Sequence, residues 1–240
     1  MQYELREIAG FPYYGFGALD DAGIAAGFMT RPSEALLTDA ARKSAFKAAL
    51  SAEDMVVLNQ VHGADVHVIA AGERPAAGDG LVLFEPGVAG VIKTADCLPV
   101  ILYALEGGAC AIVHAGWRGT AAHIAGRAVA AMAARGIAPG RIGAIMGPGI
   151  GRCCYNIGSD VAAAFRGAGF GGDVFEERGG ATFLDLRRAN RDTLVREGVG
   201  RIDDVDICTS CTRDLFFSAR RDNGRPGRQV NFAMVKETGR

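Results

Sequence analysis

Leu98-Pro99-Val100-Ile101-Leu102-Tyr103-Ala104-Leu105, then Glu106-Gly107-Gly108, then Ala109-Cys110-Ala111-Ile112-Val113-His114-Ala115 follow one another without interruption. Two apolar runs of strand length, joined by a turn holding two glycines, form an antiparallel hairpin. Gly116-Trp117-Arg118-Gly119 comes next, and an alanine-rich helix is expected over residues 120–135. Gly136 ends it, because glycine best tolerates the left-handed C-cap. Residues 142–146 form another buried strand, leading into Gly147-Pro148-Gly149-Ile150-Gly151. A hairpin followed by a strand–helix–strand pattern requires antiparallel strands alongside α/β alternation. The class is therefore mixed, α/β or α+β, with helices covering a mixed sheet.

Upstream, a helix is expected over residues 39–50, with Asp39 as N-cap and Ala45, Phe46, Ala49 and Leu50 as its apolar stripe. Strands are expected at 55–61, 66–69, 81–84 and 88–92, and residues 71–80 form a loop that closes on Asp79-Gly80. Downstream, helices are expected at 160–165 and 185–197, and late strands at 205–208 and 229–235. There is no internal repeat or long linker, so residues 1–240 read as one domain.

A chain of 240 residues, 49% hydrophobic and 22% charged, can bury roughly 70–75% of its unfolded surface. It needs neither disulfide nor metal merely to form a core. A formal net charge of -1 suggests no nucleic-acid or membrane-surface partner. Tyr3-Glu4-Leu5-Arg6-Glu7 gives no basic-then-apolar leader, and no run approaches the ~20 apolar residues of a membrane span. The expected address is the cytoplasm, where the six cysteines remain reduced and available for metal binding or catalysis.

Two of the four histidines lie where strands meet turns. His62 follows Asn59-Gln60-Val61, and His114 precedes the glycine turn. Cys97, in Thr94-Ala95-Asp96-Cys97, sits between two strands. Imidazole and thiolate together favour zinc or copper over magnesium or calcium, and three protein ligands leave a fourth position open for catalysis. Taken singly, each residue also fits a packed core position with its polar atom satisfied. Beside His114, Gly116 and Gly119 let backbone approach a ligand, the first amides of the expected helix face it, and Arg118 supplies forked donors. Together these form a candidate anion site.

Residues 59–63, 94–100, His114-Ala115-Gly116-Trp117-Arg118-Gly119-Thr120, the 147–155 loop and the 215–229 tail resemble the multicopper polyphenol oxidase, or laccase-domain, family. That family is better described as zinc-dependent purine nucleoside phosphorylases with added adenosine deaminase activity. The resemblance implies an α/β/α sandwich and one zinc per chain held by His62, Cys97 and His114, with copper as the alternative metal. It implies catalytic roles for Cys97, His114 and Arg118. It also implies purine nucleosides (adenosine, inosine, S-methyl-5′-thioadenosine) and phosphate as partners, and a monomer or homodimer. Two segments depart from the family pattern. Thr30-Arg31 is followed by Pro32-Ser33-Glu34 in place of a glycine-rich turn, and Asn156 stands where glutamate is commoner.

Other readings remain open: a copper-dependent polyphenol oxidase, a metal-free cysteine hydrolase with Cys97 as nucleophile, or a non-catalytic cell-wall quality-control factor. The H-x-E and P-C-x-x-C signature of zinc deaminases is absent. Cys208-Thr209-Ser210-Cys211 would need two further ligands to hold zinc, which Cys153-Cys154 supply only if the fold brings them near. The expectation is buried, reduced thiols. Residues 147–151 are no dinucleotide fingerprint, although their amides remain candidates for cradling substrate. His67 and His123 are expected to be structural or exposed. In the local basic run of Arg220-Arg221 with Arg225 and Arg228, the Arg220-Arg221-Asp222 cluster reads either as a solvated face or as support for the active-site rim, and the resemblance favours the second.

Overall fold

A computed structural model describes residues 3–70, 72–224 and 227–237. Ala71 of the expected loop and Arg225 of the basic run lie outside the described residues. The expected class holds, but the strands divide between two six-stranded sheets instead of joining one.

The first sheet has the order Tyr3–Ile8, Phe11–Phe16, Ile24–Met29, Gln229–Val235, Val88–Thr94, Asp54–Val57. All its pairings are antiparallel except that of Asp54–Val57 with Val88–Thr94. The second has the order Arg201–Asp204, Ile142–Met146, Leu98–Ala104, Cys110–Ala115, Gly80–Leu83, Val66–Ile69. Its two outermost pairs are parallel and its interior is antiparallel. A small third sheet joins Asn156–Ile157, Ala181–Leu184 and Phe175–Arg178.

The expected hairpin is present, running in register from Leu98 opposite Ala115 to Tyr103 opposite Cys110. Its strands are apolar on both faces because both faces are covered. Ile101, Tyr103 and Ile112 meet Phe28, Ile92 and Ala233 of the first sheet. Val100, Leu102 and Val113 meet Val129, Met132, Phe165 and Leu194 from the helices. The outer face of the first sheet, through Val91 and Phe232, packs on Phe46 of the helix Ala40–Ala49. Asp39 caps that helix as expected, accepting from the amides of Ala41 and Arg42.

Several boundaries differ from expectation. The strand expected at 55–61 spans Asp54–Val57, so His62 lies on a loop. Leu58 is buried and its amide still donates to the Val91 carbonyl, but the polar Asn59-Gln60 that follows leaves the ladder. The helix expected over 120–135 is broken in two, Trp117–Ala121 and Ile124–Ala133. The break is at His123, whose backbone adopts the left-handed conformation with φ 55°. The strand expected at 205–208 lies instead at Arg201–Asp204, a polar edge strand, while Val205 and Ile207 pack beyond it. Gly136, at φ 91°, does take the left-handed position expected of it. Among the described residues, no helix is long and apolar enough to cross a membrane.

Candidate metal centre

Strand register builds the site. Leu98 is opposite Ala115, so the next residues at the open end of the hairpin, Cys97 and Gly116, come together. A methyl group on Gly116 would lie 3.1 Å from the Cys97 Sγ and 3.5 Å from the His62 ring, so glycine keeps the space around the thiol open. On the other side of Cys110–Ala115, Gly80 is opposite Val113, which places Asp79 beside His114. The His114 amide donates to the Asp79 carbonyl at 2.7 Å, and its Nδ1–H donates to the Asp79 carboxylate at 2.8 Å. Nδ1 thus carries the proton, and Nε2 is the ring nitrogen left to bind.

The same carboxylate accepts the amides of Val61, His62 and Gly63 at 3.2, 3.0 and 2.7 Å. These bonds hold the His62 turn, whose φ of 59° is uncommon for a residue other than glycine. Burial pushes the Asp79 carboxyl up, but the His114 hydrogen bond and the Gly63 and Val61 amides more than reverse it. Asp79 is fully buried and ionised, although in the sequence it stands only as the close of a loop. A lone carboxylate directly ahead of an apolar strand was the available signal.

One ligand atom each from His62, Cys97 and His114 lies within 4.8 Å of the other two. A tetrahedral zinc with ordinary bonds to one sulfur and two nitrogens needs these ligand atoms about 3.3–3.6 Å apart. The three side chains and the space kept by Gly116 therefore suit such an ion with small adjustments. Burial pushes the Cys97 thiol up, but His114 and then His62 outweigh it and bring it down to about 6. His114 moves the opposite way. Burial lowers it, and the Cys97 thiolate and Asp79 raise it to about 9.

These residues open into a cavity of about 550 Å³ whose walls include Lys93, Trp117, Arg118, Tyr155 and Arg220. Arg118 is exposed and stacks on Trp117 at 4.3 Å. Its helix is only five residues long, so the expected anion site rests on these cations and not on a helix dipole. Burial pushes the Tyr155 phenol up to about 12, which keeps it a neutral donor. Among the described residues, no methionine lines the cavity, which removes the axial ligand usual in blue-copper sites.

The glycine-rich loop does not offer its amides to a substrate. Those of Gly147, Gly149 and Ile150 donate to the carbonyls of Pro99, Ile207 and Asp96. The loop contributes Ile150 and Tyr155 side chains to the cavity wall instead. Arg220 and Arg221 support the rim, as expected. Arg220 donates to the Asn156 carbonyl at 2.8 Å, and Arg221 to those of Thr209 and Phe216 at 3.0 and 2.8 Å. Asp96, at φ 90°, fastens this tail to the Cys97 turn by accepting from Thr209 Oγ1, Ser218 Oγ and the Arg220 amide. His67 and His123 have structural partners, the carbonyls of Ala77 and Ala168. Thr30-Arg31 faces elsewhere, with Arg31 bound to the Arg213 carbonyl and stacked on Phe217.

Residues 26–236 match the family described as multi-copper polyphenol oxidoreductase laccase, and the chain belongs to that family. Its relatives carry names for purine chemistry. A purine nucleoside phosphorylase of Deinococcus radiodurans is 46% identical over 180 residues, 74% of this chain and 69% of the relative. An adenosine deaminase called RL5, from an unknown prokaryotic organism, is 37% identical over 205 residues, 79% of this chain and 78% of the relative. The crystal structure of YlmD from Geobacillus stearothermophilus superposes with a TM-score of 0.86 at 32% identity, covering 98% of this chain and all of that one. Bacillus licheniformis YfiH gives 0.82 at 28% identity, covering 98% and 99%.

Proposed function

We propose that this chain is a zinc-dependent purine nucleoside phosphorylase with accessory adenosine deaminase activity, acting in the cytoplasm as a monomer or homodimer. The observation that carries the reading is the convergence of His62, Cys97 and His114 at a cavity walled by Lys93, Arg118 and Arg220. Metal donors beside clustered cations suit a substrate that brings an anion to a polarisable leaving group. The names of the relatives supply the substrate class.

His62, Cys97 and His114 would hold the zinc, which when bound supplies a Lewis acid able to lower the pKa of water or polarise a substrate atom. Asp79 keeps the Nδ1 proton on His114 and so fixes the ring that presents Nε2. Arg118, Lys93 and Arg220 orient phosphate against C1′ of the nucleoside, where the new C–O bond forms as the glycosidic C–N bond breaks toward the purine. A guanidinium fork matches phosphate oxygens in pairs. Trp117 and Tyr155 give the flat base an aromatic wall and displace water from it. Deamination at C6 would use the same cavity without phosphate.

The test is chromatography of adenosine incubated with zinc-loaded protein, with and without phosphate. Adenine formed only with phosphate supports phosphorolysis, and inosine in both samples adds the deaminase. Inosine alone removes the phosphorylase, and no turnover in either sample overturns the reading.

A further inference from the structure

Four thiols take no part in the chemistry above. Cys153 and Cys154 lie on the connection after Ile142–Met146, and Cys208 and Cys211 on the one after Arg201–Asp204. These strands are parallel neighbours with Met146 beside Asp204, so both connections leave the same edge of the sheet together. A bridge between Gly149 and Cys208 keeps them paired beyond the strands. The expectation of separate buried thiols is thereby corrected, because the four are clustered and Cys153 and Cys211 are exposed.

We propose that Cys153, Cys154, Cys208 and Cys211 form a second, structural metal site, a tetrathiolate for zinc, which clamps the rim of the cavity. The four Sγ atoms all lie within 4.8 Å of one another. Cys211 Sγ is 3.6 Å from that of Cys153 and 3.4 Å from that of Cys154. A single zinc bonded tetrahedrally to four sulfurs sets them about 3.8 Å apart. An iron–sulfur cluster, with its own sulfides between iron and cysteine, needs them spread wider. All four cysteines are free of disulfides.

The surroundings suit a dianionic centre. The Gly151 amide donates to Cys208 Sγ at 3.2 Å. Gly151 sits close against the cluster, since a methyl there would lie 3.1 Å from both Cys153 Sγ and Cys208 Cβ. Arg178 donates to the carbonyls of Arg152 and Cys153 at 3.3 Å, and Arg220 to that of Cys154 at 3.4 Å, so cations flank the sulfurs. Binding replaces the four thiol protons, released to water, with one divalent ion, and nothing is oxidised or reduced. The clamp would hold the chain beside Tyr155 and Arg220, two of the residues that line the cavity.

Mass spectrometry of the folded protein, purified without chelators, tests the inference. Wild type is expected to carry two zinc ions, and a Cys208→Ser/Cys211→Ser variant and a His62→Ala variant one each. A single zinc in wild type, kept by the double serine variant and lost by His62→Ala, overturns this site and leaves the proposed function standing. A single zinc with the reverse pattern supports this site and removes the other. Should the double variant fail to fold, metal-free wild type titrated with cobalt(II) decides. Two equivalents, one with the charge-transfer intensity of four thiolates, support the site. Absence of that absorption, or a disulfide among these cysteines after non-reducing alkylation and peptide mapping, overturns it.

Discussion

The Asp79 carboxylate and the His114 imidazole meet across two antiparallel strands, 2.8 Å apart, one step beyond the Gly80–Val113 register pair. Asp79 also gathers three amides of the His62 turn, so one side chain orients two of the three candidate ligands. Replacing Asp79 with Asn keeps the shape but weakens the hold on the Nδ1 proton. Loss of such an outer partner typically lowers metal affinity about 10–100-fold. Competition with a chromophoric chelator measures this, and an unchanged affinity would show that Asp79 serves only the loop.

Replacing His62, Cys97 or His114 with alanine should abolish zinc at that site and the activity with it, while the fold survives. The three core clusters are built from apolar side chains such as Phe28, Val100 and Phe46, and none of the three candidate ligands belongs to them. Circular dichroism and melting of the variants check the claim. Collapse of the native spectrum in all three would make the metal structural.

Arg118→Lys should raise KM for phosphate and lower phosphorolytic kcat/KM. A charge-assisted hydrogen bond is worth about 1.5–3 kcal/mol, and exposure of Arg118 places the effect at the low end, about ten-fold. Deamination needs no phosphate and should change less. Equal losses in both reactions would contradict a phosphate role.

In metal-free protein, Cys97 should react with iodoacetamide at neutral pH, its rate falling as pH drops through about 6, where the thiolate is lost. Cys110, fully buried and pushed up by that burial, should stay inert throughout. Peptide mapping after timed alkylation distinguishes the two. His114→Ala should move the Cys97 profile to higher pH, and an unmoved profile would refute the pairing.

The hairpin, the strands at Val66–Ile69, Ile142–Met146 and Gln229–Val235, and the capped helix at Ala40–Ala49 were legible because apolar runs and turn residues coincide there. Tyr3–Ile8, Phe11–Phe16 and Ile24–Met29 carry no such pattern. Tyr3–Ile8 is mostly exposed edge, and the other two are interrupted by Pro12, Gly15 and Gly27. The division into two sheets was hidden because a strand buried on both faces looks alike whether helix or sheet covers it. His62, Cys97, His114 and Arg118 were visible as residue types at strand ends. Asp79, Lys93 and Tyr155 were not, because their importance comes from register across the sheets and not from local pattern.

Because His62 and Cys97 sit on separate connections and His114 on the strand Cys110–Ala115, the donor set exists only after these segments have come together in the fold. An unfolded chain would not hold these three donors together, so an ion bound by them would favour the native state. Any tight ion then stabilises the native state by mass action, in proportion to the logarithm of its free concentration. Thermal resistance of this protein should therefore track the metal supply of its surroundings even where catalysis is already saturated.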